Sequence, residues 1–244
     1  MIDVRVALFD VFGTVVDWRT GIADAVRTWS AVHAPTRSDL DPGDVADRWR
    51  ARYQPSMQPI RNGSRGFTTL DVLHRESLVD LLTELEIDAD DEAVDALNAA
   101  WHALPPWPDS VAGLTAIREL MPVAPLSNGN VSLLLDMARN AGLPWDTILG
   151  AQVVRAYKPT PESYLRTAEL LDLEPERCLM VAAHNDDLAA AQACGLRTAF
   201  VRRPLEHGPG GADPGPTGDW DVVVRDLVEL GAVLARTGAQ TRRS

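Results

Sequence analysis

The sequence predicts an α/β fold, a Rossmann-like parallel-sheet core that carries an inserted helical cap. Three observations predict it. Val4 to Phe9 is a short apolar run of β-forming residues ending on Asp10, the pattern of a strand buried on both faces. From about Gly21 to Trp101 the periodicity is mostly helical. Beyond the rigid segment Leu104-Pro105-Pro106-Trp107-Pro108, strands and helices alternate, which builds a parallel sheet covered on both faces. The chain therefore divides into a discontinuous core, 1–17 and 105–244, and a cap, 18–104, inserted after the first strand.

After Asp10, Gly13 and Thr14 break the first strand in a tight turn. The helical stretch is interrupted at Pro35, Pro42 and around Asn62-Gly63, and Leu70, Leu73, Leu78, Leu81, Leu82 and Leu85 recur mostly at three- and four-residue spacings, as one face of an amphipathic helix requires. Ser110 to Leu120 reads as a helix, Pro122 to Leu126 as a strand running into Ser127-Asn128-Gly129, and Val131 to Asn140 as a helix stopped by Gly142. Ile148 to Ala151 reads as a short strand. Thr160 caps a helix that opens on Pro161. Cys178 to Ala183 is a strand, Asp187 to Cys194 a helix ending at Gly195, and Arg197 to Val201 another strand. The Gly- and Pro-rich stretch 208–217 reads as a loop, Trp220 to Val224 as a last strand before a final helix, and the polar residues after Thr237 as a frayed tail.

With 244 residues, 45% of them hydrophobic and 24% charged, the chain has an ordinary globular composition and buries a sizeable core. Its net charge of -12 argues against nucleic acid, whose binding comes largely from Lys and Arg neutralising phosphates, and against an anionic membrane surface. A small anionic substrate stays open, because a local pair of cations outweighs a distant net charge. Cys178 and Cys194 have neither CxxC nor Cys/His spacing; they read as buried thiols in a reducing cytosol. No basic n-region precedes a long apolar stretch, and no apolar run approaches the roughly 20 residues of a membrane span. A cytoplasmic protein is expected.

Candidate chemistry gathers in four clusters: Asp10-Val-Phe-Gly-Thr14, Ser127-Asn128-Gly129, Tyr157-Lys158-Pro159 and Ala183-His184-Asn185-Asp186-Asp187. All four lie at or just beyond expected strand ends, where open parallel sheets hold their sites. Asp10 alone reads as a strand-end residue capping the next helix, but with Lys158 to keep it ionised it suits a covalent nucleophile. Ser127 and Asn128, between a strand and a helix, read as a plain N-cap or as an anion site. Asp187 reads as a water-orienting acid or as a carboxylate stabilising a helix dipole, and one residue does both.

Together these clusters resemble the haloacid dehalogenase superfamily, and within it the L-2-haloacid dehalogenase (type II) branch. The resemblance spans nearly the whole chain and rests on Phe9-Asp-Val-Phe-Gly-Thr14, Leu126-Ser-Asn-Gly129, Tyr157-Lys-Pro159 with Tyr164, and His184-Asn-Asp-Asp-Leu188. Phe12 is the discriminating position. Phosphatases of the superfamily usually carry a second Asp there, the general acid for a leaving alcohol, whose carbonyl helps hold magnesium. A halide leaves without a proton, so Phe12 suits dehalogenation without metal or other cofactor.

The resemblance implies that Asp10 attacks Cα of a small 2-haloacid and that water then hydrolyses the Asp10 ester. Ser127, Asn128 and the backbone N–H groups of Val11 and Phe12 would hold the substrate carboxylate. Arg50, with Asn128 and Phe67 nearby, would receive the halide. Lys158 would keep Asp10 ionised, Asp187 and His184 would position water, and Thr14 and Tyr164 would support them. Arg48 and Arg50 also read as solvated helix residues, and Trp49 and Tyr53 as a buried face. The family's relatives are often homodimers. One departure stands out: Ala182-Ala183-His184 replaces the typical Ser-Ser-Asn, which leaves the reaction class intact and opens the substrate preference, fluoroacetate included. Three other readings remain: a magnesium-dependent phosphatase, a hydrolase of another activated carbon next to a carboxylate, and a non-catalytic binding protein on the same fold.

Overall fold

A computed structural model describes residues 3–211 and 215–241. Its centre is a six-stranded, all-parallel sheet: β1 (Val6–Phe9), β2 (Val123–Ser127), β3 (Leu149–Gly150), β4 (Cys178–Ala182), β5 (Arg197–Val201) and β6 (Val222–Val224), in the order β3-β2-β1-β4-β5-β6. β1 is central, with Ala7 opposite Val123 on one side and Leu179 on the other. Alternation along β1 fills both faces: Ala7 and Phe9 join one apolar cluster, and Val6 and Leu8 join the other. All four are buried, as the unbroken apolar run required.

Helices α1 (Trp18–His33), α2 (Pro42–Ala51), α3 (Tyr53–Arg61), α4 (Leu70–Glu84) and α5 (Asp91–Asn98) follow β1 as one block before the chain returns to the sheet. Their starts are written locally. The Asp17 carboxylate accepts from Thr20 N–H at 3.0 Å, Asp41 from Gly43 N–H at 2.8 Å and Asp90 from Ala93 N–H at 2.8 Å, satisfying donors left orphaned in each first turn. α1 therefore opens at Trp18, ahead of the Gly21 start expected. Pro42 is no interior break; it occupies the first turn of α2. The helical block grips the core through an aromatic cluster. The ring of Phe12 meets Trp101 at 5.9 Å, Tyr53 at 6.3 Å and His74 at 6.5 Å, and His74 stacks on Trp101 at 4.2 Å.

The remaining elements are α6 (Ser110–Arg118), α7 (Val131–Ala141), α8 (Ala151–Val154), α9 (Pro161–Leu170), α10 (Asn185–Ala193) and α11 (Leu227–Thr241). Four expectations change. β3 is only two residues long, and Ala151 opens α8 instead of ending a strand. α10 begins at Asn185, two residues before the expected start, so Asp187 lies inside its first turn. The last strand starts at Val222, after Trp220. α11 continues to Thr241, so the backbone of 238–241 is helical where a frayed tail was expected; 242–244 lie outside the described residues. Part of the expected 208–217 loop, 212–214, lies outside the described residues. Gly142 stops α7 in the left-handed region, as expected, at φ 67°.

α6 packs on α11 at a point where only glycine fits. A Cβ on Gly113 would stand 2.4 Å from Leu227 Cβ and 2.6 Å from its backbone carbon. Alanine is worth roughly 1 kcal/mol over glycine in a helix interior, but this clash is with backbone and cannot be relieved by a rotamer. Gly113→Ala is expected to lower stability by a net ~1–3 kcal/mol, read as a shifted denaturation midpoint at unchanged slope.

Candidate active site

The four polar clusters converge at the carboxyl ends of the central strands. Asp10 follows β1, Ser127 ends β2, His184 caps α10 after β4, and Lys158 lies between α8 and α9. Asp10 N–H donates to Val181 O at 3.0 Å, which continues the β1–β4 ladder and fixes the nucleophile candidate's backbone. The turn after it is held by Gly13 N–H to Val16 O at 3.0 Å, and by Arg203, which donates to Thr14 O at 2.8 Å while making a bidentate pair with Asp109.

The Asp10 carboxylate is buried and meets three donors. Lys158 Nζ lies 2.9 Å from Oδ1; Thr14 Oγ1 donates to Oδ2 at 2.7 Å; His184 Nδ1 lies 3.1 Å from Oδ2. Thr14 also accepts from Ala183 N–H at 2.9 Å, which fixes the direction of its hydroxyl proton. Lys158 is buried, not solvated, and its ammonium also bonds Asp187. Asp187 in turn accepts from the Tyr164 hydroxyl at 2.6 Å.

Charge is distributed unevenly along this row. Burial pushes the Asp10 carboxyl up, but the Lys158 ammonium and then His184 hold it well below the usual carboxylate range. Burial pushes Asp187 up, aided by the neighbouring Asp10, and Lys158 offsets only part of that. Lys158 is raised despite its burial, first by Asp10 and then by Asp187. His184 is pushed up to about 10, because its bonds to Asp10 and Glu206 outweigh burial. Of the two carboxylates on Lys158, Asp10 is the one held down and Asp187 the one pushed up.

Above this row is a cavity of about 100 Å³ lined by Asp10, Asn128, Lys158, His184, Asp186 and Asp187 from the sheet side, and by Arg50, Tyr53 and Gln54 from α2 and α3. Arg50 is half-buried. Its guanidinium carbon lies 4.0 Å from the Tyr53 ring centroid and 5.2 Å from that of Trp18, and its Nη1 is buried without a hydrogen-bond partner among the described residues. Arg48, by contrast, pairs with Glu84 at the surface at 3.2 Å. An unpartnered guanidinium N–H in an aromatic cage beside a cavity is a ready anion site.

Not every expected residue lines this cavity. Val11, Phe12, Thr14, Ser127 and Tyr164 are buried and do not line it. Phe67 stands apart, stacked on Tyr157 at 5.2 Å with the Arg155 guanidinium carbon 4.7 Å from its ring centroid. Tyr53, read from spacing as part of a buried face, is both buried and cavity-lining. Glu206 was not singled out. It bonds His184 Nε2 at 2.9 Å and accepts from Trp18 Nε1 at 3.1 Å. A buried acid in a Gly- and Pro-rich stretch carries no local signal of its partner.

The comparisons agree with this geometry. The family model of the haloacid dehalogenase-like hydrolases matches residues 4–195, and the chain belongs to that family. It is similar to the crystal structure of a defluorinating L-2-haloacid dehalogenase, with 56% identity, a TM-score of 0.92 and 95% of each chain covered. A second L-2-haloacid dehalogenase structure shares 44% identity at a TM-score of 0.89, covering 96% of this chain and 99% of that one. Among curated proteins, the (S)-2-haloacid dehalogenase of Xanthobacter autotrophicus is 28% identical over 204 residues, 82% of this chain and 76% of its own length. The fold matched is a parallel sheet flanked by helices with a cap domain, and α1–α5 stand between the first strand and the rest of the sheet here.

Proposed function

We propose that the chain is a 2-haloacid dehalogenase that hydrolyses the carbon–halogen bond of small 2-haloalkanoic acids to 2-hydroxy acids, through an ester on Asp10 and without metal. The observation that carries this is a buried carboxylate kept anionic by Lys158 under a small cavity whose opposite wall holds the unpartnered Arg50 guanidinium. Asp10 attacks Cα from one side and the halide leaves towards Arg50 on the other. Asn128 accepts from Lys158 N–H at 2.8 Å through its side-chain oxygen, so its amide N–H₂ is the face that meets a substrate carboxylate, with Ser127 and the Val11 and Phe12 backbone beside it. Asp187, pushed up by burial, takes the proton of the hydrolytic water. Attack at the Asp10 carbonyl leaves a single inversion at Cα, so an L-substrate yields a D-2-hydroxy acid.

The donor set does not fit a magnesium site. The side chain two positions after Asp10 is a phenyl ring packed among aromatics, and the Lys158 ammonium bridges the Asp10 and Asp187 carboxylates. The segment 18–104 serves as the cap, two free thiols suit a reducing cytoplasm, and the resemblance supports a homodimer. Partners are small: a 2-haloacid and the released halide.

The test is halide release from L-2-chloropropionate, D-2-chloropropionate and fluoroacetate in EDTA. Release from the L-isomer with formation of D-lactate is expected. No release from any of the three, with EDTA-sensitive hydrolysis of a phosphate ester, would replace this reading with the phosphatase one.

A further inference from the structure

Glu206 has no part in the reaction just described, yet the site is shaped around it. It is 5% exposed, in the turn after β5, and both its carboxylate oxygens lie within reach of His184 Nε2, at 2.9 and 3.1 Å. The turn behind Asp10 makes room for it: at Gly13, where φ is +89°, a Cβ would stand 2.1 Å from Glu206 Oε1. The other nitrogen of the His184 ring faces Asp10 Oδ2 at 3.1 Å. A ring with a carboxylate oxygen against each nitrogen carries a proton on each, so His184 is an imidazolium that donates both ways. The Thr14 hydroxyl donates to the same Oδ2 at 2.7 Å. Two donors therefore converge on Oδ2, whereas Oδ1 meets Lys158 alone among the described residues.

We infer that Glu206 is a positioning residue that holds His184 as a fixed donor, and that His184 Nδ1–H with the Thr14 hydroxyl forms the oxyanion site for hydrolysis of the Asp10 ester. This rests on the ester reading above. Oδ1 becomes the ester oxygen and Oδ2 the carbonyl oxygen. Water attacks Cγ, its proton passing to Asp187, while the carbonyl electron pair moves onto Oδ2 between the two donors. The intermediate collapses by breaking the Cγ–Oδ1 bond. The leaving alkoxide takes a proton from Lys158, which Asp187 replaces; the water's second proton leaves the new Asp10 carboxyl for solvent, and the Asp10 carboxylate is restored with the water oxygen. Preorganised donors at an oxygen that gains charge only in the second step accelerate that step. The charged groups around the ring are Asp10 and Glu206 against it, Lys158 and Asp187 behind Asp10, and Arg50, which acts on Glu206 from α2.

The experiment is rapid-quench turnover of L-2-chloropropionate by Glu206→Gln and Glu206→Asp beside wild type, with mass analysis of the Asp10 peptide. In Glu206→Gln a halide burst equal to the enzyme is expected, followed by steady turnover about 10²-fold slower, the scale of a lost oxyanion donor. KM falls with kcat because the ester accumulates on Asp10. Turnover in this variant fails as pH rises through roughly 6.5, the ordinary histidine range, whereas wild type holds its rate well above it. Glu206→Asp, which keeps the charge, restores much of the rate. If burst and steady rate fall together and no ester accumulates, the inference is overturned. Absence of a burst in wild type would instead overturn the ester reading itself.

Discussion

Asn in place of Asp10 is expected to abolish halide release, by on the order of 10⁴–10⁶-fold, the range seen when a covalent nucleophile is removed. A carboxamide oxygen accepts hydrogen bonds but does not displace halide from carbon. The change is mild structurally. Lys158 retains Asp187, and Thr14 and His184 retain an oxygen to donate to, so a cooperative unfolding transition close to that of wild type is expected. In wild type, one turnover in ¹⁸O-water should place the label in Asp10, because water attacks the ester carbonyl. Label found only in the hydroxy acid after a single turnover would mean that water attacks Cα directly.

Lys158→Met has the second large effect, on stability as well as rate. The ammonium is the shared partner of two buried carboxylates; without it they face each other with His184 as the remaining cation against Asp10. Breaking a buried pair from one side costs about 3–5 kcal/mol, and loss of nucleophile ionisation lowers turnover by roughly 10³-fold or more. The pH dependence follows from the direction of each shift. In wild type the Asp10 carboxyl is held below its unfolded value, so its contribution is present above about pH 4 and is lost as pH falls. In the variant one carboxyl of the pair is raised above its unfolded value, which favours the folded state as pH falls. The stability gap between the proteins should therefore narrow towards pH 4. A gap that is constant with pH would show that packing, and not charge, is what Lys158 supplies.

Most of the frame was legible in the sequence because its signals are local. The apolar run before Asp10, the Pro-Pro-Trp-Pro boundary and the turns that follow β2 and β4 each declare themselves within a few residues, and fold rules for parallel sheets then bring Asp10, Asn128, Lys158, His184 and Asp187 together. What escaped depends on distance in the chain. Glu206 joins His184 from 22 residues away, and Trp18 joins Glu206 across 188; neither partnership has a periodicity. Tyr53 was legible as apolar by its spacing from Trp49, but its second role as a cavity wall depends on how α3 meets the sheet. The start of α10 was misplaced because Asn185 and Asp186 read as loop residues, although a helix accepts both in its first turn, where their charge and polarity suit the dipole.

The packing of Phe12 also bears on how such enzymes diversify. Its ring is 1% exposed and is held by Tyr53, His74 and Trp101. His74 itself is kept neutral in that cluster, pushed down to about 3 by burial and then by Arg50. A carboxylate introduced at position 12 would arrive in a dry pocket packed around a ring, and it costs several kcal/mol until the buried N–H groups of Arg50, His74 or Trp101 turn to meet it. The step between a halide-displacing and a phosphoryl-transferring member of this family is thus not one codon wide in this background. The aromatic neighbours on α3 and α4 must change with it, so the helical block between β1 and β2 sets which chemistries lineage and chance can reach from here.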